Sequence, residues 1–353
     1  MTSNKSTLTN SFSLLFRCQW LLIGSLCCTL LPEISKASTW KAAEKDHLKL
    51  DLGIISPAFL FDLRRTLGSE QSKIQYKPNS QTKTYLGFAY RNVSLGYGFT
   101  NKSNADDLKN LGETKSNDIQ LRFIGTNSFE FSYQEYAGYY IENSEELDAT
   151  YAGVPVKIQR SDIRTRNYSF MYLRNFDPED FSFVAALTQS DRHTASGWGR
   201  FLFAGWNESF IQGDSPFVPA ANAATFGDLS GLQKLSQKTL LGGLGLGGIA
   251  SSGKWYVTGI MGLGMAAKSA NSEFAGAGGK NLLGSGAAAT VRFGMGYNGE
   301  WNVFGLQAIV DNTEISIVGA TVSTQINEIK LFYSHRLDGI SLPPLDYISS
   351  FLD

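Results

Sequence analysis

The sequence predicts an all-β chain, an antiparallel transmembrane β-barrel of about 12 strands (about 10–14 allowed), and three observations predict it. Segments of roughly ten residues alternate apolar and polar with period two, the pattern of a strand with two unlike faces. The polar face carries full charges in mid-strand, which a dry sandwich core cannot take unpaired and a barrel lumen can. Tyr and Trp (Tyr97, Tyr133, Tyr172, Trp255, Tyr297, Trp301) stand at strand ends, where an interfacial girdle places them.

The chain has 353 residues, 42% hydrophobic and only 18% charged, with 36 Gly, 23 Phe and 15 Tyr. Few charges with many aromatics and glycines suit a sheet with one apolar face and many turns. A formal net charge of −1 leaves no global field to collect nucleic acid. The N-terminus reads as a secretory signal peptide. Lys5 and Arg17 supply positive charge, Trp20 to Leu31 is apolar, and Pro32 precedes the small-residue site Ser35-Lys36-Ala37. The expected organisation is a signal peptide over 1–37, a periplasmic segment over 38–47, the barrel over 48–337 and a tail over 338–353. Cys18, Cys27 and Cys28 all fall in the signal peptide, so residues 38–353 hold no thiol for a disulfide, a metal or catalysis.

The alternation places strands in order. Leu48 to Ser56, Lys83 to Arg91 and Val93 to Thr100 come first, with 57–82 and 101–116 as long connections. In 117–125, Ile119, Leu121 and Phe123 oppose Asp118, Gln120 and Arg122; in 128–137, Phe129, Phe131 and Tyr133 oppose Glu130, Ser132 and Gln134. After a third long connection (138–163) come 164–175, 180–190 and 197–206. Phe181, Phe183, Ala185 and Leu187 are read as one face of the second of these. Segments 238–250 and 254–267 carry Leu240, Leu244 and Leu246 opposite Gly243, Gly245 and Gly247, a glycine face that leaves room for a plug, a loop or the opposite wall. Segments 286–298, 300–311, 313–323 and 325–336 complete 14 candidates. Long and short connections lose phase after residue 196, which predicts a missed or split strand between 191 and 237. The tail, with Pro343 and Pro344, is expected to extend from the barrel or to fold back on its mouth.

The runs Tyr76-Lys77-Pro78-Asn79, Tyr85-Leu86-Gly87-Phe88 and Phe131 to Tyr140, then Arg166 to Phe170 and Gly213-Asp214-Ser215 before Pro219, resemble in their order an uncharacterised bacterial family filed as a domain of unknown function, Bacteroidetes-like in distribution. The resemblance spans about residues 48 to 337. It implies an outer-membrane β-barrel and no assigned chemistry. The chain departs from the family's amide-rich turn at Ser190 to Gly199, so no role is carried over there.

No chemistry stands out. His47, His193 and His335 are scattered, without metal-ligand spacing. Asp191, His193 and Ser196 have the types of a nucleophilic triad but crowd one loop. Ser334 and His335 are neighbours on a strand, so they face opposite ways. Glu142, Glu145, Glu146 and Asp148 form an acidic loop that reads as solvated before it reads as a cation site. No catalytic, cofactor-binding or metal residue is therefore assigned, and no cofactor is expected. The candidate lumen-facing residues are Arg122, Glu130, Gln134 and Arg292. The expected partners are outer-membrane lipid and, during biogenesis, the outer-membrane assembly machinery; neither nucleic acid nor a protein partner is indicated. The expected function is a non-enzymatic outer-membrane barrel, either a narrow pore or a surface or structural protein. The alternative, from another class, is a barrel hydrolase acting on lipid or surface peptide.

Overall fold

The computed structural model describes residues 47–349 apart from 68–69, 80–81, 190–195 and 318–319. The signal-peptide expectation lies outside the described residues. Thirteen antiparallel strands form one sheet that closes on itself through β1 and β13. They are β1 (His47–Leu67), β2 (Glu70–Lys77), β3 (Lys83–Tyr90), β4 (Val93–Thr100), β5 (Lys115–Phe123), β6 (Asn127–Ile141) and β7 (Ile158–Asn175). Then follow β8 (Gly197–Gln212), β9 (Leu232–Ser252), β10 (Trp255–Phe274), β11 (Ala277–Asn298), β12 (Asn302–Ile317) and β13 (Ala320–Asp338).

Thirteen strands fill twelve positions because β2 and β3 share one. The upper part of β1, Phe61–Leu67, bonds β2, and the lower part, Leu48–Ile55, bonds β3. Above the short β3–β4–β5 meander, β2 bonds β6 directly through Tyr76↔Ile141 and Lys77↔Tyr140. The wall thus has twelve strands at the end where the chain emerges and ten at the other. Following one rung from Leu52 through β3 to β10 reaches Leu283, whereas the opposite way round, through β13 and β12, it reaches Tyr297. That offset of 14 residues on β11 is the shear. With twelve strands it corresponds to a strand tilt of about 40°, inside the range for closed barrels.

The outward positions form an apolar belt. Leu50, Leu52 and Ile54 on β1, Leu244 and Leu246 on β9, Leu263 and Met265 on β10, and Ile329 and Leu331 on β13 are all exposed. Met265 is 74% exposed, which no soluble core strand would tolerate repeated around a whole wall. Trp198, Trp255 and Trp301 are exposed at the lower rim, with Trp255 packed against Tyr297 and Phe304 at ring separations of 5.5 and 5.9 Å.

Several expected elements change. Residues 57–82 are not a long connection: β1 continues to Leu67 and turns back as β2. Pro57 is tolerated mid-strand because 56–60 lie between the β3 and β2 ladders, where β1 bonds β13 alone. The segment 138–163 is shortened by both its flanking strands. The expected strand at 180–190 is a turn of π-helix, Val184–Thr188, folded into the lumen. Among the described residues between 191 and 237 there is no strand besides β8 and the start of β9; counting the inward segment as a strand is what broke the phase. The three segments expected over 300–336 are two, β12 and β13, because Asp311-Asn312 reads as a turn but lies within β12. The tail forms a helix, Pro343–Ser349, held at the mouth by Tyr90 Oη donating to Asp346 Oδ1 (2.7 Å) and by Arg91 Nε 3.1 Å from the same oxygen.

Candidate functional site: a chamber between two lumenal caps

The lumen is filled at two levels. At the lower level lies 181–189, the inward part of the β7–β8 connection. Phe181, Phe183, Val184, Ala185, Ala186 and Leu187 pack with Phe201, Phe203, Ile249 and Ile260 of the wall. Glycines receive it: a Cβ on Gly247 would stand 2.5 Å from the Phe181 ring, and one on Gly199 2.9 Å from Phe181 Cβ. Two wall cations and one wall amide donate to the carbonyls at the end of the π-turn. Lys49 Nζ donates to Thr188 O (2.5 Å), Arg336 Nη2 to Gln189 O (2.9 Å) and Gln307 Nε2 to Leu187 O (3.0 Å). At the flank Arg200 donates three hydrogen bonds of 2.7–3.0 Å to the Asp177 carboxylate. These bonds hold the Asp177 carboxyl below the usual carboxylate range, at about 2.

The upper level is closed by 213–231, the β8–β9 connection. Phe217, Val218, Phe226 and Leu229 pack on Phe59, Phe61, Tyr76 and Tyr139. Phe61 and Tyr76 stack at 4.5 Å and 10°, and Phe217 meets Phe61 edge-on at 5.9 Å. Arg160 is the clamp. It pairs with both oxygens of Asp162 (2.7 and 2.8 Å) and donates to the carbonyls of Ser215, Pro216 and Phe217 (2.9–3.1 Å). Tyr76 Oη also donates to Phe217 O.

Between the caps lies a chamber of about 120 Å³ lined by both charged and apolar side chains. At about 10–15 Å³ per water this is room for on the order of ten waters or one small solute. All four candidate lumen residues line it. Arg292 Nη1 grips both oxygens of Glu130 (2.6 and 2.8 Å), and Arg122 Nε stands 4.0 Å from the same carboxylate. Gln134 Nε2 donates to Asp118 Oδ2 (3.1 Å). Alternation alone did not single out Glu328 or Asp118. Glu328 accepts from Gln120 Nε2 (3.0 Å), and Asp118 has Lys83 Nζ at 3.9 Å. Both sit on charged inward positions of strands already recognised, so the signal was there to be used. Among the described residues no group of three or more His, Asp and Glu could hold a metal ion.

The other sequence candidates are elsewhere. Asp191 and His193 lie outside the described residues, while Ser196 Oγ donates to Ser251 O (3.4 Å) at the lower rim. Ser334 is buried on the inner face, whereas His335 is exposed and bonds Asn302 Oδ1 (2.9 Å). In the acidic loop, Glu145 pairs with Lys157 Nζ at 2.6 Å and Asp148 caps Thr150 N (2.9 Å), so these carboxylates have internal partners.

Three solved structures illustrate what the fold is similar to. The outer membrane protease OmpT from Escherichia coli shares 8% identity over 86% of this chain and 100% of its own, with a TM-score of 0.42. The COG4313 outer membrane channel from Pseudomonas putida F1 shares 9% over 84% and 97%, with a TM-score of 0.32. The P. putida toluene transporter TodX shares 8% over 85% and 92%, with a TM-score of 0.25. No curated protein matches the chain. The family profile described as "Domain of unknown function (DUF4421)" matches residues 38–336, nearly all of the barrel, and the chain belongs to that family.

Proposed function

We propose that this chain is a non-enzymatic outer-membrane barrel whose lumen is a conduit for small polar solutes, closed at rest by its two caps. The observation that carries this reading is the chamber. A barrel serving only as scaffold would fill its lumen with side chains, yet here a space holding a cluster of charged and amide groups separates two separately anchored apolar caps. The exposed apolar belt and the aromatic rim support the membrane setting. With short turns at Arg91-Asn92 and Gly253-Lys254 and longer connections at 101–114, 142–157 and 213–231, the twelve-strand end is the periplasmic one in this reading.

Planar-bilayer recording tests it. The intact protein is expected to be silent or to open rarely. Replacing Phe181–Gln189 and 213–231 together by short Gly-Ser linkers is expected to give sustained conductance. Silence of both proteins, with the barrel shown to be inserted by its heat-modifiable gel mobility, would leave only the structural role.

A further inference from the structure

The wall of the chamber is not bonded all the way round. β10 and β11 pair down to the last rungs near their turn, Phe274↔Ala277, and β12 and β13 pair to Ile317↔Ala320. Between β11 and β12 the ladder runs only from Asn298↔Val303 to Thr290↔Asp311. Beyond that rung, 277–289 of β11 and 312–317 of β12 bond only the strand on their other side among the described residues. Unpaired strand edges are exceptional in a closed barrel, whose purpose is to remove them.

Three further facts bear on this seam. It opens on the chamber: Ala287, Ala288 and Ala289 of the unpaired β11 edge line the same cavity as Arg292 and Glu130, next to Thr290 and Ile309 of the paired ladder. The β11 edge is small and open, reading Gly284-Ser285-Gly286-Ala287-Ala288-Ala289, and a Cβ on Gly284 would meet nothing within 4 Å. Its height is also set by the shear. Correcting the Leu52 rung for shear puts the mid-belt level on β11 near Phe293, so the seam begins about four residues higher, on the order of 10 Å along the barrel axis. That is the outer edge of the belt, where headgroups replace hydrocarbon.

The chamber itself shows what it would accept. Of its two carboxylates, Glu130 is gripped by Arg292 and Glu328 accepts from Gln120. Left without a partner are Gln120 Oε1, Gln134 Oε1 and Thr290 Oγ1, on side chains that are 8, 6 and 4% exposed. Buried acceptors require donors. A hydroxyl can donate to these amide oxygens without adding a charge to a space already lined by Arg122, Glu130, Lys268, Arg292 and Glu328.

We propose that solutes reach the chamber sideways, through the seam between β11 and β12 above Thr290–Asp311, and that the chamber takes small uncharged hydroxylic molecules, polyols or sugars. The proposal rests on the reading of the lumen as a conduit and adds its route and its substrate class. Gly284 is the place to block the route, because a side chain there enters open space rather than the wall.

The test uses the full chain with Cys18, Cys27 and Cys28 replaced by Ser, and Ser132→Cys as a thiol in the chamber wall. An uncharged hydroxyethyl methanethiosulfonate is expected to label that thiol. Gly284→Trp is expected to slow labelling at least tenfold, while Leu283→Trp, one residue along on the exposed face, leaves it within twofold. If Gly284→Trp loses its heat-modifiable band, Gly284→Leu takes its place. Labelling that ignores both Gly284 variants overturns the seam. After normalisation to a free thiol, the uncharged reagent is expected to react at least tenfold faster than its trimethylammonium and sulfonate counterparts; equal or faster reaction of either ion overturns the substrate class. Seam-dependent labelling of a barrel that neither conducts nor lets proteoliposomes swell in an uncharged sugar would remove the conduit and keep the seam. Conductance with seam-independent labelling would do the reverse.

Discussion

The two caps close one lumen by different physics. The lower cap is a short helical turn whose apolar side chains sit on a wall thinned to glycine, and its last carbonyls are met by Lys49, Arg336 and Gln307 from three different strands. Its hold is distributed, and much of it is shape. The upper cap is an irregular loop laid on stacked aromatics, and its polar contacts centre on Arg160, which reaches three of its carbonyls, with Tyr76, Asp162, Arg65 and Gln233 adding single-residue ties around it. Its hold is concentrated. A distributed anchor gives way gradually under mutation, whereas a concentrated one is a latch that a single event can release.

Truncating the lower cap should have the largest effect. Phe181→Ala removes the ring that fills the Gly247 notch and is expected to cost about 3 kcal/mol. If that cost falls on the capped state alone, the open fraction of the lower cap rises by about a hundredfold, read as opening frequency in single-channel records of a barrel already lacking the upper cap. An unchanged frequency would mean that the ring stabilises the wall rather than the cap. At the upper cap, Arg160→Ala leaves Asp162 and three carbonyls short of donors and is expected to cost about 2 kcal/mol. The loop 213–231 should then be cleaved by added protease on the order of thirtyfold faster, while the rest of the barrel stays resistant. Equal protection of the variant and the parent would refute the latch.

The smallest effect is a pH dependence at the flank of the lower cap. Asp177 sits at about 2 in the folded chain, below the roughly 3.9 of an unfolded aspartate. Its contribution is therefore fully present above about pH 4 and is lost as the pH falls through about 2. Arg200 is 64% exposed, so solvent screening keeps the effect small. Urea midpoints of the parent and of Asp177→Asn should differ slightly at pH 6 and converge near pH 2. A difference that persists at pH 2 would assign the stabilisation to packing rather than charge.

Period-two alternation carried most of the fold because lipid outside and polar lumen inside impose it on every strand. It placed β3 and β4 almost to the residue, put Arg122, Glu130, Gln134 and Arg292 on the face that turns out to be inner, and supported about twelve positions. It failed where that contrast disappears. Over Phe183 to Leu187 both faces are apolar, and such an unbroken run marks a buried segment rather than a half-lipid strand. The partner signal was the glycine face at Gly243, Gly245 and Gly247, which leaves room for something inside the wall. The chamber was harder to read because it depends on which inward charges meet across the lumen, as Arg292 meets Glu130 from 162 residues away. The seam was not legible at all: strand length follows from alternation, but where a ladder stops follows from register, which one strand's sequence does not carry.

The change from ten to twelve strands also bears on how such a wall can grow or shrink. β2 already bonds β6 through Tyr76↔Ile141 and Lys77↔Tyr140. Continued downward, that register sets Tyr90, the last residue of β3, opposite Asn127, the first residue of β6. The hairpin β4–β5 therefore stands in a slot whose two sides already match in direction, length and register. It is a spliced-in stave: the cylinder could lose it and close again without any other strand changing its neighbour on the far side.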